Sequence, residues 1–123
     1  MDARLEFIYH GNRMNDFYQE YHQHHCYELV YYVRGRGVTN FSNRTCSYKA
    51  GTCSLTRPNI KHDRHHLEET EFLVIGFCHD LPIELDNGVF ADIGGNLYGL
   101  LEKIRDEVFS QHVHYQMRIQ ILI

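Results

Sequence analysis

The chain has 123 residues, of which 43% are hydrophobic, 23% charged and 13% aromatic, and 12 Lys and Arg face 16 Asp and Glu for a formal net charge of −4. These values describe one soluble globular domain long enough to bury a core and exclude a disordered chain. Apolar stretches such as Phe72–Ile75 are too short to span a bilayer, Met1-Asp2-Ala3-Arg4 does not open a secretory signal, and the scattered basic residues form no patch that would grip DNA.

Taken in chain order, the first 80 or so residues read as short strands separated by turns. Tyr27–Val33 is rich in Tyr and Val and favours a strand, which stops at Gly35-Arg36-Gly37. Val38–Ser42 and Thr45–Lys49 follow, joined by a hairpin turn at Asn43-Arg44. After Ala50-Gly51 comes Cys53–Thr56, ended by Pro58-Asn59, and after the acidic turn Glu68–Glu71 comes Phe72–Cys78. Short strands at this spacing predict a mostly β sandwich or barrel. Residues 81–96 form a connecting loop with Pro82, Gly88, Gly94 and Gly95, and Asn96 is placed to cap a helix. From there Leu97, Leu100, Leu101, Ile104 and Val108 recur at helical spacing, and a second helical stretch is expected near His114. The chain stops within the apolar run Ile121-Leu122-Ile123, which reads as a cut inside a longer protein.

Four cysteines, at 26, 46, 53 and 78, include no Cys-x-x-Cys pair and read as reduced thiols of a cytoplasmic protein. Histidine is unusually frequent, with 10 residues, and six fall in two clusters: His22, His24 and His25, then His62, His65 and His66. Alternate residues of a strand share a face. Pairing unbroken from Tyr21 would therefore put His22, His24, Cys26 and Glu28 on one side, with His62 arriving after the Pro58 turn. Three imidazoles and a carboxylate suit Zn, Ni, Mn or Fe. The plainer alternative is a solvated His-x-His at a strand edge, with Glu28 paired to Arg34 or Arg57.

The run His22-Gln23-His24-His25-Cys26-Tyr27-Glu28-Leu29, the aromatic strand Val30–Val33 and then Gly35 resemble the first cupin motif in the form found in AraC-type transcription regulators. Tyr48-Lys49-Ala50-Gly51 with Leu55, Pro58 and His62 resembles the second. Asp16 stands where the general motif opens with glycine, and Ile60 stands where metal-binding cupins carry glycine. The resemblance implies a double-stranded β-helix, the cupin jelly roll, over residues 1–80, followed by one or two C-terminal α-helices in a dimerisation segment, 97–123. It implies a small-molecule effector in a pocket drawn from His22, His24, Glu28, Tyr32, His62 and His66. His22, His24, Glu28 and His62 carry over as a metal set. Dimer contacts fall to Leu97, Leu100, Leu101, Ile104 and Val108, and DNA is touched only by a further C-terminal part. The expected role is regulatory, not enzymatic. The competing reading is a small metal-dependent cupin enzyme, an isomerase or oxygenase. A storage cupin without a ligand is the remaining alternative.

Overall fold

The computed structural model describes residues 3–14, 17–22, 24–42, 44–79, 86–110 and 118–119. Among them the chain forms β1 (Ala3–Arg13), β2 (Phe17–His22), β3 (Tyr27–Arg34), β4 (Arg36–Phe41), β5 (Arg44–Lys49), β6 (Thr52–Thr56), β7 (His62–His66), β8 (Thr70–His79), β9 (Gly88–Ala91), α1 (Asn96–Ser110) and β10 (Arg118–Ile119). The strands make two antiparallel sheets, ordered β10-β1-β8-β3-β6-β9 and β2-β7-β4-β5. This is the expected mostly β jelly roll with a C-terminal helix.

β3 lies centrally in the larger sheet, between β6 and β8. Its residues from Tyr27 to Tyr32 are buried on both faces, which explains a near-continuous apolar run where a half-exposed strand would alternate. Leu29 and Tyr31 join Leu55, Leu73 and Ile75 in an outer cluster, whereas Val30 and Tyr32 join Tyr48, Phe72 and Val74 between the sheets. Gly35 makes the β3–β4 turn with φ +97, and a Cβ there would lie 2.6 Å from the Glu69 carbonyl oxygen. Both the backbone angle and the close approach demand glycine.

The helix differs from its expected use. Leu101 and Ile104 are 1% and 8% exposed in the outer cluster, with Leu97, Tyr98 and Val108 packed against it. Only Leu100 of the five predicted dimer positions is exposed. The apolar face is spent on covering the larger sheet, so the surplus that suggested a dimer surface shrinks to Leu100 and the nearby Ile93 among the described residues. Asn96 is the first residue of α1, not its cap. The carboxylate of Asp92 accepts from the backbone N–H groups of Leu97 and Tyr98, both at 3.1 Å, and so satisfies two of the open N-terminal donors.

Five strands go unread in the sequence, β10 among them, where a helix is expected. β1 and β2 precede the expected first strand, β7 is the histidine cluster itself, and β9 lies inside the expected loop 81–96. The second helix near His114 meets a correction where the chain is described: Arg118 and Ile119 are extended and pair with Arg4 and Ala3. The rest of that expected helix, 111–117 and 120–123, lies outside the described residues. No helix among the described residues is long and apolar enough to cross a membrane.

Candidate functional site: a polar cluster in the barrel

The unbroken strand from Tyr21 does not form. β2 ends at His22 and the chain bends through His24–Cys26 before β3 starts at Tyr27. His24 thus reaches Glu28 from a loop. That loop is fastened to the turn preceding His62, where the backbone N–H of Asn59 donates to the His24 carbonyl at 2.7 Å. Asn59 has φ 62, a left-handed angle that asparagine tolerates better than most residues. The Pro58-Asn59 turn therefore positions both histidines.

Glu28 stands at the centre. His24 Nε2 lies 2.9 Å from one carboxylate oxygen, and His62 Nε2 and Arg64 Nη2 lie 3.4 Å and 3.3 Å from the other. Burial alone would raise the Glu28 pKa, but hydrogen bonds from His24 and His62 and the charge of Arg64 outweigh it and hold the carboxyl far below its usual range. The hydrogen bond to Glu28 raises the His24 pKa, against a smaller opposing effect of burial. A buried carboxylate surrounded in this way stays ionised.

Above this cluster lies a cavity of about 190 Å³ between the sheets. Phe7, Val30, Phe72 and Val74 form its apolar wall, and Gln19, His24, Glu28 and Arg64 its polar part. Arg13 lies near the rim, its guanidinium 5.3 Å from the Phe72 ring centre, a cation–π distance.

Of the pocket residues expected from the sequence, His24 and Glu28 line this cavity; Tyr32, His62 and His66 do not. Tyr32 is fully buried, stacked on Tyr48 at 3.7 Å between ring centres, and its hydroxyl meets Ser54 Oγ at 2.8 Å. His66 Nδ1 hydrogen-bonds the Tyr48 hydroxyl, which also lies 3.1 Å from Thr70 Oγ1. The backbone of His22 pairs with His62, but its side chain lies outside the described residues. The polar site residues that sequence reading missed are Arg13, Gln19 and Arg64, and Arg64 is the one that meets Glu28. β7 reads His-Asp-Arg-His-His, with no apolar residue to mark it as a strand. Once His62 is placed inward, alternation puts Arg64 and His66 inward too.

The donor set fits a divalent cation. His24, Glu28 and His62 each offer one ligand atom, and these lie within 4.8 Å of one another. Two histidines and a carboxylate are a common transition-metal set. His62 Nδ1–H donates to the Ile60 carbonyl at 3.0 Å, leaving Nε2 to face Glu28, and metal-binding imidazoles are oriented by outer hydrogen bonds of this type. The guanidinium of Arg64 on the same carboxylate opposes a cation there.

His66 carries a pH prediction. Burial, then the charges of Arg64 and Arg13, push its pKa down to about 4 from 6.5. A histidine depressed in the folded state contributes stability that is present above 6.5 and lost as pH falls through the folded value. Between pH 6.5 and 4 the protein should lose on the order of 2–3 kcal/mol more than His66→Gln, as measured by urea unfolding. Parallel curves for the two proteins would show that His66 is not held neutral.

Residues 5–85 match the family model described as the AraC-like ligand binding domain. No curated protein matches the chain. Among solved structures, YhaK from Escherichia coli superposes with a TM-score of 0.62 at 14% identity, over 72% of this chain and 43% of that one. A predicted oxalate decarboxylase from Thermotoga maritima gives 0.56 at 19% identity, over 61% and 68%. A cupin superfamily protein from Desulfitobacterium hafniense gives 0.53 at 10% identity, over 64% and 84%. At these identities the likeness concerns the fold alone.

Proposed function

The chain belongs to the AraC-like ligand binding domain family, and from that premise we propose that its barrel is the effector-sensing part of a transcription regulator. The observation that carries the reading is the cavity, with an apolar wall on one side and the charged cluster of His24, Glu28 and Arg64 on the other. A few placed polar groups in a mostly apolar cleft are what orients a small ligand.

β3 gives the pocket a route outward. Glu28 and Val30 line the cavity, while Leu29 and Tyr31 of the same strand pack in the cluster that holds Leu101 and Ile104 of α1. A ligand that prefers one position of β3 over another would shift the helix with it. DNA contact falls to a further part of the regulator. The same reading includes a homodimer, and light scattering that finds only monomer at high concentration would remove that element.

Thermal and urea unfolding with a panel of metabolites tests the sensing role. A ligand at a hundred times its Kd should add about 2.7 kcal/mol of stability. A well-folded domain that no metabolite stabilises would count against it.

The metal-dependent enzyme remains a second reading, favoured by the convergence of His24, Glu28 and His62. A divalent ion held by these residues would supply Lewis acidity toward a carbonyl or a site for oxygen chemistry. Glu28 would contribute charge, and His62, fixed by Ile60, would contribute direction. Stoichiometric metal in the purified protein, together with turnover that disappears in His24→Ala, would favour this reading over the sensor.

A further inference from the structure

The geometry points to a small monocarboxylate as the effector, a molecule with an apolar body whose carboxylate is received by the guanidinium of Arg64. This rests on the reading of the cavity as an effector pocket.

Arg64 projects from β7 with 6% of its side chain exposed and lines the cavity. A guanidinium carries five N–H donors in a fixed planar fork. Here Nη2 reaches Glu28 at 3.3 Å and Nη1 reaches Gln19 Oε1 at 3.5 Å. Both are longer than the roughly 2.7–2.9 Å of a charge-assisted hydrogen bond. Nε is itself buried with no hydrogen-bond partner among the described residues, and the guanidinium also lies 5.9 Å from the centre of the Tyr32 ring. Glu28 does not depend on Arg64 alone, because His24 holds its other oxygen at 2.9 Å. The result is a buried fork whose two Nη groups make only long contacts beside an open volume, and weakly met buried polar groups are costly.

Charge defines the missing partner. Two guanidiniums, Arg13 and Arg64, and one carboxylate, Glu28, line the cavity. One positive charge is left over before His24 is counted. A neutral sugar would leave it unmet, and a dianion would set a second negative charge near Glu28. One carboxylate matches both the charge and the planar fork. The wall of Phe7, Val30, Phe72 and Val74 then favours an apolar remainder.

The test is calorimetric titration of the full chain with benzoate, phenylacetate and isobutyrate, with their amides, and with neutral sugars. At least one acid should bind about tenfold or more tightly than its amide, and Arg64→Gln should lose that preference. If the single variant fails to fold, Glu28→Gln/Arg64→Gln removes both charges together, and it too should bind acid and amide alike. Equal binding of acid and amide by the unaltered protein, or sugar binding that survives Arg64→Gln, overturns the carboxylate inference and leaves the pocket standing. If acids, amides and sugars all fail to bind, the effector pocket itself falls.

Discussion

Glu28→Ala is expected to destabilise the protein by about 3–5 kcal/mol, the largest effect of any single change at the site. The residue is 5% exposed and faces His24, His62 and Arg64. Removing the carboxylate leaves the Arg64 guanidinium buried with only the neutral side chains of Gln19, at 3.5 Å, and Tyr32 against it among the described residues. An uncompensated buried charge costs far more than the net worth of the pair it came from. The double variant Glu28→Ala/Arg64→Met should therefore lose less stability than Glu28→Ala alone, a coupling that a double-mutant cycle reads directly. Urea unfolding at neutral pH is the measurement. A loss below about 1 kcal/mol for Glu28→Ala would mean that water already screens the cluster.

Leu101→Ala carries the second large effect, about 2–5 kcal/mol, whereas Leu100→Ala should fall within about 0.5 kcal/mol. These neighbours differ only in where the helix points them. Leu101 is 1% exposed in the cluster over the larger sheet and Leu100 is 45% exposed. Deleting the buried side chain removes apolar contact and leaves a cavity between α1 and β3, while deleting the exposed one touches little. Equal and small effects would show that α1 does not dock on the sheet. A large effect at Leu100 that appeared only at high protein concentration would place it in an interface between copies.

The strands legible in the sequence were those whose apolar residues announced them. β3 and β8 are the buried centre of the larger sheet, and Tyr, Val, Phe and Ile fill them. β7 is equally internal but holds only polar residues, because its inward side chains serve the charged cluster. Hydrophobic periodicity is silent for such a strand, and Arg64 was missed with it. β1 hid for a different reason: its pairing with β8 shifts register between Leu5 and Phe7, and a bulge breaks the period of two. The meeting of His24 with Glu28 was anticipated from strand parity, yet it comes from a bend tied to the Pro58-Asn59 turn. Tyr32 and His66, expected among the pocket residues, are buried but do not line the cavity. Side-chain depth inside a barrel depends on which partners fill it, here Tyr48 and Thr70, and spacing does not encode that. The helix was legible, and its partner was not: an apolar stripe says that something covers it, and here that is the chain's own sheet.

The most direct test of the barrel as an effector pocket is an NMR titration of the full, isotope-labelled chain with a small carboxylate that calorimetry shows to bind. The expected result is shift changes concentrated on Phe7, His24, Val30, Arg64 and Val74, with smaller changes passed to Leu101 and Ile104. Saturable changes confined to the outer surface, with those cavity residues unmoved, would contradict it.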